Sequence, residues 1–114
     1  MDRLERLYLK NCKYNNLQGV NRCLSRGVDV NTRYQYTGTG LMLACESGHP
    51  AIVSRLVQVP GLDINYQEAK EGWTAALQAI DNGHTECVRL LAETGRVDWN
   101  KADVWGRTSL YTSL

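Results

Sequence analysis

The chain has 114 residues, 43% of them hydrophobic, and a formal net charge of +1 at pH 7. That is enough apolar material for one small core and too balanced a charge for a long-range pull towards phosphate or an anionic membrane. Lys and Arg outnumber Asp and Glu eight to four over residues 1–57 and trail them five to eight over residues 58–114, so the chain is a mild dipole.

Charges at Asp2, Arg3, Glu5, Arg6, Lys10 and Lys13 read against a secretory signal, and no stretch is long and apolar enough to span a bilayer. The four cysteines, Cys12, Cys23, Cys45 and Cys87, form no C-x-x-C pair. Cys12, Cys45 and Cys87 fall where helices should face inward, so plain buried thiols are expected, with no disulfide and no metal. The expected location is intracellular and cytoplasmic, with the nucleus left open.

Leu4, Leu7, Tyr8 and Cys12 return at helical spacing and predict a first helix with one dry stripe, which Asp2 can cap. Asn15-Asn16 turns the chain into a second helix, Leu17 to Ser25, facing inward through Val20, Cys23 and Leu24. Arg3, Arg6, Lys10, Lys13 and Arg22 occupy the outward positions, as a terminal unit facing water requires. Asp29-Val30-Asn31 then opens a hairpin-like excursion with its tip near Arg33 to Tyr36. It leads into helices over about Gly40 to Ser47 and Pro50 to Gln58, and the second presents Ile52, Val53, Leu56 and Val57 to the core. Asp63-Ile64-Asn65 repeats the opening, with helices over about Ala75 to Asn82 and Thr85 to Thr94 and an inward row of Cys87, Val88, Leu90 and Leu91. Asp98, Asn100, Gly106 and Thr108 begin the motif again.

The landmarks keep one period. Asp29 to Asp63 is 34 residues, Asp63 to Asp98 is 35, Thr39 to Thr74 is 35, Thr74 to Thr108 is 34 and Gly48 to Gly83 is 35. A period of this length held by independent landmarks marks a solenoid. The units are expected at about 1–28, 29–62, 63–97 and an incomplete 98–114, forming a single array over residues 1–114.

Gly72, Thr74, Ala79, Gly83 and His84, and more loosely Thr39, Leu41, Ala44, Gly48 and His49, resemble the Gly-x-Thr-Pro-Leu-His-x-Ala and Gly-His corners of the ankyrin-repeat family. The family's proline is replaced by Gly40, Ala75 and Ser109, and its first histidine by Met42, Leu77 and Tyr111. The resemblance implies an all-α solenoid of stacked helix pairs joined by hairpin-like turns. It implies a structural hydrogen-bonding role for His49 and His84. Neither a catalytic residue nor a cofactor is expected: the serines and cysteines have no base at a motif spacing, and there is no phosphate-binding glycine loop.

What the resemblance implies about activity is non-enzymatic recognition of another protein by the excursion tips and the outer face of each first helix. Matched residue by residue, the variable positions are Arg33, Gln35, Tyr36, Gly38 and Leu43 in the second unit. The third gives Gln67, Ala69, Lys70, Glu71, Trp73 and Gln78, and the last gives Ala102, Val104, Trp105 and Arg107. The partner-binding residues expected to matter most are Arg33, Tyr36, Leu43, Lys70, Trp73, Gln78, Val104, Trp105 and Arg107. Tyr, Trp and Arg carry much of the energy of protein interfaces. The competing reading has Trp73 and Trp105 leaning on neighbouring tips to stiffen the stack, whereas Trp99 packs inside its turn.

Neither nucleic acid nor membrane is an expected partner, since Glu68, Glu71 and Asp103 interrupt any basic stripe on that surface. The fourth unit stops at Leu114, so the chain is expected to be part of a longer repeat protein. Uncovered Ala79, Ile80, Val88 and Leu91 are then expected to drive a weak homodimer, the assembly role that is the alternative to partner binding.

Overall fold

A computed structural model describes residues 2–34 and 38–101. It contains six helices: α1 (Arg3–Lys13), α2 (Leu17–Ser25), α3 (Gly40–Ser47), α4 (Pro50–Val57), α5 (Ala75–Asp81) and α6 (Thr85–Glu93). They pair as α1–α2, α3–α4 and α5–α6. The odd helices pack side by side in one row and the even helices in a second, giving the two-layered, all-α stack that the sequence period implies. Between α2 and α3 the excursion closes through an antiparallel bridge, Arg33 to Thr39.

Each odd helix begins on a side chain that satisfies an otherwise orphaned backbone donor. Asp2 accepts from the Glu5 N–H at 2.8 Å, and Glu5 returns the bond in a capping box. The hydroxyls of Thr39 and Thr74 accept from the N–H groups of Met42 and Leu77 at 3.4 and 3.2 Å. Of the even helices, α2 starts on Asn16, which accepts from the Gly19 N–H at 3.0 Å. The other two start on His49 and His84, which make no capping bond. Their rings reach back along the stack instead: His49 Nε2 lies 2.7 Å from the Lys13 carbonyl, and His84 Nε2 lies 3.0 Å from that of Glu46. Each imidazole thereby fastens its pair to a carbonyl near the end of the preceding first helix.

The Gly-His corner couples neighbouring units sterically as well. Gly48 ends α3 at φ +77°, and a Cβ there would come within 2.6 Å of the His84 ring. Only glycine suits both the left-handed backbone and the close approach. Gly40 stands where the repeat pattern has proline for a comparable reason. A Cβ there would sit 2.9 Å from both Cys12 Sγ and the Tyr8 ring. Tyr8 is itself fully buried and donates its hydroxyl to the Val30 carbonyl at 2.8 Å.

The Asp-x-Asn openings form a hydrogen-bonded ladder along the stack. Asp29 accepts from the N–H of Asn31, and Asp98 accepts from that of Asn100. The Asn31 side chain donates to the Gly61 carbonyl at 2.9 Å and accepts from the Asp63 N–H at 2.7 Å. One unit later, Asn65 donates to the Arg96 carbonyl at 2.9 Å and accepts from the Asp98 N–H at 2.7 Å. A side-chain amide can do both at once because it carries a donor and an acceptor.

The core is a strip. Tyr8, Leu9, Cys12, Val20, Leu41, Ala44, Cys45, Ile52, Val53, Leu56, Ala79 and Leu91 are all fully or almost fully covered. In α1 the dry stripe is rotated from the expected one: Leu9 is buried and Leu7 is 45% exposed, because α1 meets α2 and α3 through Tyr8, Leu9 and Cys12. In α6 it is Leu91 that is buried to 0% exposure, while Leu90 and Val88 are only partly covered. At the far edge of α5 and α6, Ala79 and Leu91 are buried and Ile80 and Val88 half-buried. That edge is less apolar to solvent than its composition suggests.

Candidate partner-binding groove

The row of first helices and the excursion tips frame a cavity of about 480 Å³. Leu43 and Glu46 reach it from α3, Gln78 and Asp81 from α5, Tyr34 from the second-unit excursion, and Lys70, Glu71 and Trp73 from the third-unit excursion. Lys13, at the end of α1, closes one side.

The third-unit excursion is held from within by Glu68, a residue read from sequence as a surface charge that would break a basic stripe. The structure corrects that expectation. Glu68 is only 6% exposed, and its carboxylate accepts from three backbone donors: Lys70 at 2.8 Å, Glu71 at 2.6 Å and Trp73 at 3.1 Å. Its own N–H donates to the Trp73 carbonyl and its carbonyl accepts from Gly72. Five residues wrapped round one carboxylate make room for the extra residue of this turn, and they fix where Trp73 emerges. The turn-like composition of the segment signalled a loop. Nothing in its spacing singled out which acid would turn inward, because Glu68 and Glu71 look alike in sequence.

Trp73 is partly buried, rests against the core and donates its indole N–H to the Glu71 carboxylate at 3.0 Å. It therefore packs within its own tip while also lining the cavity. Leu43 is likewise partly covered, packing on the core as it lines the groove. Gln78 donates through Nε2 to Glu46 at 3.3 Å, and its Oε1 is buried with no hydrogen-bond partner among the described residues. Lys70 is exposed at the tip. Arg33 is exposed too, but its guanidinium lies 5.2 Å from the centre of the Tyr66 ring, a cation–π contact that ties one excursion to the next. Tyr36, Val104, Trp105 and Arg107 lie outside the described residues, as do Gln35, Ala102 and Asp103. Trp99 is half-buried against the core beneath its turn.

No chemistry is assembled among these side chains. Burial pushes the Cys12 thiol up to about 12 despite the neighbouring Tyr8 hydroxyl, and raises Cys45 and Cys87 as well. All four cysteines are free and buried, which makes poor nucleophiles of the raised three. Among the described residues no group of three or more His, Cys, Asp or Glu side chains could hold a metal, and no helix is long and apolar enough to cross a membrane.

Comparison with known proteins agrees with the architecture. A family model described as ankyrin repeats (3 copies) matches residues 9–103. Cortactin-binding protein 2 of Mus musculus is 44% identical over 61 residues, which is 53% of this chain and 4% of that protein. The proteins of the same name from Ovis aries and Mustela putorius furo are each 45% identical over 53 residues, 46% of this chain and 3% of theirs. The chain thus spans only a few hundredths of the length of the curated relatives it matches. With a family model covering most of its length and three helix pairs stacked at the expected period, this chain belongs to the ankyrin-repeat family.

Proposed function

We propose that the chain recognises another protein through the groove framed by α3, α5 and the third-unit excursion, with Leu43, Lys70, Trp73 and Gln78 making the contact. Ankyrin arrays are in general non-enzymatic protein-binding modules, and the finer assignment rests on one observation. Leu43 and Trp73, two large apolar side chains left partly uncovered, line the same cavity. Such a combination of aromatic anchor and aliphatic floor is what a partner side chain can cover. Tyr36, Val104, Trp105, Arg107 and Arg33 extend the proposed surface by repeat register. The carboxylates of Glu46, Glu71 and Asp81 on this face oppose a phosphate backbone, which favours protein over nucleic acid. The four free, buried thiols suit a reducing, intracellular setting.

Photo-cross-linking tests the placement. A photoreactive residue at Leu43 or Lys70 should capture a protein partner from extract, whereas the same group at Ser25 or Ala92, on the row of second helices, should not. Capture from Ser25 and Ala92 with silence at Leu43 and Lys70 would move the binding surface to the opposite face. Sedimentation of the chain alone, run beside it, reports whether a homodimer competes for the same residues.

A further inference from the structure

We propose that the side of α1 and α2 turned away from α3 and α4 is a second docking surface. Its occupant is an acidic segment of a partner protein that presents one branched aliphatic side chain between carboxylates. This surface shares no lining residue with the groove between α3 and α5, so it stands independently of the reading above. Its centre is a recess of about 100 Å³ between the first two helices, walled by Leu4 and Leu7 of α1 and by Gly19 and Cys23 of α2. Leu4 and Leu7 are neighbours on one helix face. Leu7 is 45% exposed, whereas Tyr8 and Leu9 beside it are completely buried against the rest of the stack.

The recess is held open from within. Asn11 is only 7% exposed and lies so close to α2 that a Cβ on Gly19 would come within 2.4 Å of its Nδ2. Its Oδ1 accepts from Asn16 Nδ2 at 3.3 Å, and Asn16 also caps α2. The spacing of the two helices is therefore set before any partner arrives, which lowers the cost of filling the space between them. The volume is that of about three waters, room for one aliphatic side chain.

The rim specifies what flanks that side chain. Arg22, in the last turn of α2, and Arg26, at its C-cap, line the recess, and among the described residues no carboxylate does. Arg3 and Lys10 stand one turn before and one turn after Leu7 on α1. All four cations are exposed, and none forms an ion pair among the described residues. Asp2 and Glu5, the nearest acids in sequence, are engaged with each other's backbone in the capping box and line a different recess. Unpaired cations around an apolar centre repel a basic segment and select carboxylates, which a guanidinium can take in bidentate fashion. A bilayer would need apolar side chains standing proud of the charges, whereas here the recess lies below them. A phosphate backbone would leave Leu7 and the recess unused.

A phage-displayed library of random peptides, panned on the whole chain and then sorted by retention on its Leu7→Gln variant, supplies the test. One class of peptide should be lost on that variant and should carry Leu, Ile or Val flanked by Asp or Glu. It should shift the amide signals of Leu7 and Gly19 and leave those of Leu43 and Trp73 in place. Arg22→Gln and Arg26→Gln should each weaken this class by about tenfold, the effect of losing one hydrogen bond to a charged group, and should flatten its salt dependence. Melting temperatures should hold, because both side chains are exposed and unpaired. Should Leu7→Gln melt early, the two arginine substitutions carry the test on a folded chain. A library without such a class, or peptides at Leu7 that lack carboxylates and ignore both arginines, overturns the inference. So do phosphatidylserine vesicles or a DNA duplex that move the Leu7 and Gly19 signals where the peptides do not. Binders that move only Leu43 and Trp73 overturn this surface and leave the groove reading standing, and binders that move only Leu7 and Gly19 do the reverse.

Discussion

Glu68 shows how much one side chain can determine in a repeat whose helices are otherwise ordinary. Its carboxylate is the common acceptor for the N–H groups of Lys70, Glu71 and Trp73. Glu68→Ala is therefore expected to leave three donors to water and loosen the tip, at a cost of about 1 to 3 kcal/mol in urea denaturation. Indole emission should shift as Trp73 becomes more solvated. An unchanged unfolding midpoint would mean that the turn is held by Gly72 and the backbone bonds alone. Cys12 gives a second residue-scale expectation, in pH. Burial raises its thiol from an ordinary 9.0 to about 12 in the folded chain. Below about pH 9 both states keep the proton and stability is unaffected. Above it the unfolded chain releases the proton first, so stability should fall from about pH 9 to about pH 12. Cys12→Ala should flatten that fall by up to about 4 kcal/mol in denaturation series across the window. A slope identical to that of the unsubstituted chain would place the thiol in contact with water.

At the scale of the element, burial sorts the leucines of the second helices. Leu56 is completely covered between α4 and its neighbours, whereas Leu90 is only partly covered and Leu91 takes the inward place. Leu56→Ala and Leu91→Ala should each cost about 2 to 5 kcal/mol, and Leu90→Ala clearly less. Equal losses at Leu90 and Leu91 in chemical denaturation would show that α6 is turned differently about its axis. Sequence periodicity located all six helices to within a residue or so of their ends, because Thr39, Thr74, Asn16 and Pro50 are local start signals that act regardless of tertiary context. The rotation of a short helix is harder to read. In α1 and α6 several adjacent apolar residues could each form the stripe, and only the shape of the neighbouring helix decides between Leu7 and Leu9 or between Leu90 and Leu91. The Asn31 and Asn65 ladder and the His49 and His84 tethers were legible as recurring landmarks. Their partners, some 30 to 40 residues away, were not.

Over the whole molecule, three pairs stacked through side-chain amides, imidazoles and a continuous apolar strip hold one face steady while their tips vary. Matching to the ankyrin pattern pointed to Leu43, Lys70, Trp73 and Gln78 as variable positions, and the structure brings all four to a single cavity. Arg33 is engaged with Tyr66 instead, an outcome that register could not reveal because both side chains sit at excursion tips. We propose that this cavity is the recognition surface. Amide hydrogen exchange of the chain, free and saturated with a captured protein partner, tests it without any substitution. Added protection should fall on residues 38–47 and 68–82, covering α3, the third-unit excursion and α5. Protection confined to α2, α4 and α6, with those two segments exchanging as in the free chain, would contradict it.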